Sequence, residues 1–123
     1  MPQRRCRAPD RAGIEAFVRA YLSPEHRDQC AEGCPSAALL DEIARRPVAI
    51  RQVFTDELMG VIDDIASRLD PTDVDAARTD ALTLFGLMVG TLQLARALTD
   101  RDLSDQLLAR GVATALKLPD DPA

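Results

Sequence analysis

Apolar residues recur along this chain with a helical period, and no stretch alternates in the manner of a strand. The first predicted helix runs from about Asp10 to Leu22. Asp10 is a good N-cap, and Ile14, Phe17, Val18, Tyr21 and Leu22 share one face. Ser23-Pro24 is a restart signal, a capping Ser followed by Pro at the first helical position, and predicts a short turn through Glu25 to Gln29. Gly33 breaks the chain. Pro35 opens a second helix to about Arg46, with Leu39, Leu40 and Ile43 as its apolar positions. Pro47 marks the next boundary, and a third helix to about Leu69 carries Ile50, Phe54, Leu58, Val61, Ile62, Ile65 and Leu69 in one stripe. Asp70-Pro71-Thr72 reads as a turn. A fourth helix spans about Asp73 to Leu98, and a fifth about Arg101 to Leu118, where Pro119 ends it. Thr99 or Asp100 is the expected cap between them. Residues 1–9 and 119–123 read as tails around one domain over 10–118. The pattern is all-α with short connections, a bundle of about five helices.

The fourth helix has apolar positions on two sides. Leu84, Leu87, Thr91, Leu94 and Leu98 form one stripe, and Leu82, Phe85, Val89 and Leu92 another. A helix that is apolar nearly all round is buried on more than one side, and a bundle this small covers one side more easily than two. The fifth helix repeats the problem, with Leu103, Leu107 and Leu118 on one face and Leu108, Val112, Ala115 and Leu116 over another. Gly86 and Gly90 sit inside the fourth helix, where each Gly costs ~1 kcal/mol relative to Ala. Close approach of another helix is one reason for them; accommodation of bulky neighbours within the chain is the other. The expected homodimer surface comprises Leu84, Gly86, Leu87, Gly90, Thr91, Leu94 and Leu98, with Leu107, Gly111 and Ala115 from the fifth helix.

Composition narrows the function classes. The 123 residues are enough for one domain, and 46% hydrophobic with 28% charged is a globular balance. Twenty acidic against fifteen basic residues leave a net charge of −5, a poor surface for nucleic acid. Three Cys cannot all pair within one chain, which disfavours a secreted disulfide scaffold. His26, Cys30 and Cys34 are spaced four apart and, with Cys6, would suit zinc or redox chemistry on a continuous helix. Gly33 and Pro35 interrupt that helix, so the expectation is no metal and no cofactor, with His26 and Cys30 in a loop. One His and no Gly-rich phosphate loop leave few parts for catalysis, and no enzyme is expected. No signal-peptide or membrane-spanning stretch is present, so the expectation is a cytoplasmic protein with no membrane contact.

Several segments resemble a known family. Tyr21-Leu22-Ser23-Pro24-Glu25-His26-Arg27 and Gly33-Cys34-Pro35-Ser36-Ala37-Ala38-Leu39-Leu40-Asp41-Glu42-Ile43-Ala44-Arg45 look like the start of the C-terminal regulatory domain of TetR/AcrR-family transcriptional repressors. Leu87-Met88-Val89-Gly90-Thr91-Leu92-Gln93-Leu94-Ala95-Arg96-Ala97-Leu98-Thr99-Asp100 is similar to that domain's penultimate helix, and Leu103-Ser104-Asp105-Gln106-Leu107-Leu108 to the start of its last. The resemblance covers residues 10–118. It implies an all-α ligand-sensing and dimerisation domain whose last two helices pair with the same two of a second chain in a four-helix interface. It also implies an internal pocket for a small apolar effector, whose binding moves two DNA-binding heads.

The few aromatic and Met side chains concentrate on the first, third and fourth helices. They make Phe17, Tyr21, Phe54, Leu58, Phe85 and Met88 the candidate ligand-binding residues, with Gln93 and Arg96 as polar anchors. The family's helix-turn-helix precedes this domain, and residues 1–9 do not suffice for one. The expectation is therefore no DNA binding by this chain alone, with DNA recognition left to a full-length parent. The alternative is a helical interaction module that forms mixed dimers with a full-length relative and takes no ligand.

Overall fold

The computed structural model describes residues 9–29 and 35–118, all of whose regular structure is helical. The helices are α1 (Arg11–Tyr21), α2 (Pro24–Asp28), α3 (Pro35–Ala44), α4 (Val48–Leu69), α5 (Val74–Ala97) and α6 (Arg101–Lys117). The five long helices agree with the sequence reading to within two residues at each end. Between α1 and α3, the expected turn is the short helix α2, so His26 is helical and not in a loop. The expected tails lie outside the described residues apart from Pro9, as do Cys6, Cys30 and Cys34. Among the described residues no helix is long and apolar enough to cross a membrane.

Local chemistry starts most of these helices where the sequence places them. Asp10 accepts from the Gly13 amide at 2.9 Å, Ser23 from His26 at 3.1 Å, Asp73 from Ala76 at 3.1 Å and Asp100 from Leu103 at 3.1 Å. Each such cap stabilises its helix by ~1 kcal/mol. In the turn between α4 and α5, the backbone N–H and hydroxyl of Thr72 both donate to the Asp70 carboxylate, at 3.1 and 2.7 Å.

α5 is the central helix, about 36 Å long at 1.5 Å per residue. It packs most extensively on α4 and α6, and also touches α1, α2 and α3. Its inward side chains include Ala77, Ala81, Leu84, Phe85, Met88, Leu92 and Ala95, which meet Ile14 and Val18 of α1, Ile62 and Ile65 of α4, and Leu108 and Ala115 of α6 in one core. Each large apolar side chain there contributes ~1.5–3 kcal/mol by leaving water.

The stripe expected along α4 is only half covered. Ile62 and Ile65 are buried, Phe54, Leu58 and Leu69 are half-buried, and Ile50 and Val61 are exposed. The reason is length. α1 starts beside the end of α4, where the Asp10 amide donates to the Arg68 carbonyl at 2.8 Å and the Arg68 guanidinium pairs with the Asp10 carboxylate. From there, 11 residues reach about 16 Å along a helix of 22 residues that is about 33 Å long.

Candidate functional site

The last turns of α1 bring Phe17 and Tyr21 onto one face, four residues apart, with ring centroids 6.0 Å apart. The Tyr21 ring meets Phe85 of α5 edge-on at 5.7 Å, and on another side meets the His26 imidazole of α2 at 4.8 Å. Tilted and edge-to-face contacts of this kind bring the positive ring edge against a negative face. Met88, fully buried, lies one turn beyond Phe85, and Leu58 of α4 packs against the same core. Five of the expected ligand-binding residues, Phe17, Tyr21, Leu58, Phe85 and Met88, therefore belong to one apolar region between α1, α4 and α5. Phe54 is half-buried on the first half of α4, beyond the reach of α1, and is not among the residues packed on this core. Gln93 is exposed on the far side of α5, away from this apolar region. At 100° per residue it points away from Met88 and Leu92.

A polar network adjoins the aromatic rings. His26 Nδ1 lies 2.7 Å from the Tyr21 carbonyl. A carbonyl only accepts, so Nδ1 donates, and Nε2 is the basic nitrogen of the neutral ring. The next residue, Arg27, is the one buried residue of α2, 3% exposed. Its Nη1 donates to Ser104 Oγ at 2.9 Å and to Asp105 at 2.6 Å, and its Nε donates to Asp28 at 3.0 Å. Ser104 Oγ in turn donates to the Ala95 carbonyl at 2.8 Å, so this buried hydroxyl both accepts and donates. Arg96, expected as a ligand anchor, instead donates to the carbonyls of His26 and Arg27 at 3.0 and 3.1 Å. Arg101 reaches Asp28 at 3.2 Å. The Arg27 guanidinium, and then that of Arg101, hold the Asp28 carboxyl down at about 2 from its ordinary 3.8. The bonds to Asp28 and Asp105 push Arg27 up in turn.

This network was not anticipated from the sequence, yet one signal was there. Ser104 shares its face of α6 with the buried Leu108, Gly111 and Ala115. A hydroxyl at a core position asks for a buried polar partner.

The expected dimer residues divide into two groups. Leu84, Thr91, Gly111 and Ala115 are buried within the chain itself. A Cβ on Gly111 would stand 2.7 Å from Thr91 Cγ2 and 3.3 Å from Leu22 Cδ1, so this glycine serves the contact between α5 and α6 and is not an outward one. The α5 stripe runs along the boundary of the core, and its members two turns apart fall on the same side. Leu84 and Thr91 turn inward, while Leu87 and Leu94 lean outward. Gly86, Leu87, Gly90, Leu94, Leu98 and Leu107 all keep exposed or half-exposed surface. A Cβ on Gly86 or Gly90 would meet nothing within 4 Å. Exposed Leu82 and Leu94 stand along the same side.

No group of three or more His, Cys, Asp or Glu side chains is arranged to hold a metal ion among the described residues. The architecture is thus an all-α bundle with an aromatic interior and an uncovered apolar strip on its central helix. Comparison with protein families, with curated proteins and with solved structures finds no match.

Proposed function

We propose that this chain is a ligand-sensing and dimerisation domain of a TetR-type transcriptional regulator, with DNA recognition supplied by a helix-turn-helix in a full-length parent. The observation that carries this reading is the open strip on α5. Two helix-interior glycines, each unfavourable by ~1 kcal/mol relative to Ala, have no neighbour in the chain to make room for. A helix from a second copy gives both a reason, because a missing Cβ lets two backbones approach. Leu82 at 41% and Leu94 at 60% exposure supply apolar surface beside the gap. α6 adds exposed Leu103 and half-buried Leu107. Two copies of the α5–α6 pair meeting across a two-fold axis make a four-helix interface. The aromatic region between α1, α4 and α5 supports the sensing half of the proposal, since a ligand that opened it would meet apolar surface and flat rings.

Light scattering on the purified chain tests the reading. A dimer mass at micromolar concentration is expected, and Gly90→Leu, which fills the gap, is expected to shift the mass toward the monomer. A monomer mass for the unaltered chain removes the proposal.

A further inference from the structure

α2 has the sequence Pro24-Glu25-His26-Arg27-Asp28 and contributes no aliphatic or aromatic hydrocarbon side chain to the core. What holds it is polar: Arg27 in the corner between α5 and α6, the Arg96 guanidinium on its backbone carbonyls, and Arg101 on Asp28. The elements around the aromatic region differ in this respect, because α1, α4 and α5 are each held there by buried apolar side chains. The anions that bind Arg27 also stand at the surface, with Asp28 50% and Asp105 57% exposed. Water lies next to those carboxylates and can replace the guanidinium bonds one at a time. Tyr21 and Phe85 are closed off, and the His26 ring of α2 covers one edge of Tyr21. A ligand that reaches them displaces something, and the element with least apolar surface to expose is α2.

We propose that α2 is a strap closed over the aromatic cluster, that Arg27 is its positioning residue, and that local opening of the strap admits a small apolar molecule to Tyr21 and Phe85. Segments that open to admit ligands come from the less stable parts of a fold. Arg27 fixes the position of α2 from the α5–α6 corner, and the bond from His26 Nδ1 to the Tyr21 carbonyl passes that position to the ring. The use of the strap rests on the sensing half of the function proposed above, whereas its opening does not.

The chain carries its own reporters, since Tyr21 is the one tyrosine, His26 the one histidine, and there is no tryptophan. The experiment compares the full chain with Arg27→Gln. Hydrogen exchange of the amides of residues 25–29 is expected to speed up about ten-fold or more, the order set by losing charge-assisted hydrogen bonds. Amides in the middle of α4 and α5 are expected to keep their rates. The near-ultraviolet dichroism of Tyr21 and the imidazole resonance of His26 are expected to change with the strap, and Arg27→Lys, which keeps the charge and loses the fork, to fall between the two. Unchanged exchange at residues 25–29, or an equal rise throughout the chain, overturns the strap. If Arg27→Gln does not fold, Arg101→Gln at the outer end of the network takes its place and is held to the same local acceleration.

The probe for entry is the uncharged dye N-phenyl-1-naphthylamine, expected to associate faster with the variant than with the unaltered chain. Uptake at equal rates by both keeps the sensing reading and overturns the strap. Local opening with no dye uptake by either form removes the entry route and the sensing reading together, and leaves the dimer measurement standing.

Discussion

The carboxylate of Asp28 accepts from Arg27 and from Arg101, and its proton affinity in the fold is set by those two cations, with Arg27 the larger influence. Arg27 also donates to Asp105, and Arg96 holds the backbone carbonyls of His26 and Arg27. Because the folded value, about 2, lies below the ordinary 3.8, the fold favours the ionised form. The sign follows by linkage: the contribution is whole above pH 3.8 and disappears as the pH falls through about 2. Asp28→Asn is therefore expected to melt below the unaltered chain at neutral pH, with the difference closing as the pH drops through that window. Thermal melts followed by circular dichroism at a series of pH values measure it, and a difference that stays constant with pH shows the carboxylate charge to be irrelevant. Glycines give a second test at this scale. Gly111→Ala drives a methyl against the stiff β-branched Thr91, and is expected to lose about 1–3 kcal/mol from overpacking, less the ~1 kcal/mol that Ala gains as a helix former. Gly86→Ala, with open space around it, is expected to stabilise the isolated chain by up to ~1 kcal/mol. Chemical denaturation of the two variants at concentrations where the chain is monomeric should give opposite signs, and equal signs there would show that the space around these glycines does not decide their cost.

At the level of elements, α4 separates what the sequence pattern could say from what it could not. Its apolar stripe is continuous from Ile50 to Leu69, and periodicity treats every position alike. Burial depends on which neighbours reach that far, and α1 covers only the second half. Ile62→Ala is accordingly expected to cost about 2–5 kcal/mol, whereas Ile50→Ala stays within about 0.5 kcal/mol. Similar losses in denaturant titrations would mean that the first half of α4 is covered as well. The other elements teach the same distinction. Asp10, Ser23, Asp73 and Asp100 were legible as helix starts because a cap acts within three residues of itself. The partners of Arg27 were not legible, because Ser104 and Asp105 lie 77 and 78 residues away and no local pattern marks the pairing. That Tyr21, Phe85 and Met88 pack in one region is readable because aromatic and Met residues are scarce here and fall on helices that must pack. The exposure of Gln93 is not legible, because a polar residue in an apolar helix is equally compatible with an anchor and with a wet face, and helix rotation decides where it points.

For the molecule as a whole, charge and its distribution bear on what the chain can bind. The net charge is −5, and many of the guanidinium groups are committed to nearby carboxylates. Arg19 pairs with Glu15, Arg45 with Asp41, Arg68 with Asp10 and Asp64, Arg78 with Asp63 and Asp75, and Arg27 and Arg101 with Asp28. A guanidinium with a carboxylate beside it presents little net field to a phosphate. Specific reading of a duplex needs two things together: cations that hold the backbone, and an element that fits a groove with side chains aimed at base edges. The first half of α4 is exposed over 48–57 apart from half-buried Phe54, and its residues there include Val48, Ile50, Gln52, Val53, Thr55, Asp56 and Glu57, with Arg51 as the one cation. On this face Gln52 donates to Asp56 and the Thr55 hydroxyl to the Arg51 carbonyl, and one cation stands against two carboxylates, a poor surface for holding phosphates. The chain by itself is therefore expected to give no sequence-specific complex with duplex DNA at physiological salt. Any weak association is expected to fall steeply as salt rises, by a slope of about 0.9 per phosphate contact in the double-logarithmic plot. Gel-shift titration against the region upstream of the encoding gene, with excess unrelated duplex as competitor, makes the test. A competitor-resistant shift would assign sequence reading to this chain itself and would remove the need for a helix-turn-helix elsewhere in the protein's working form.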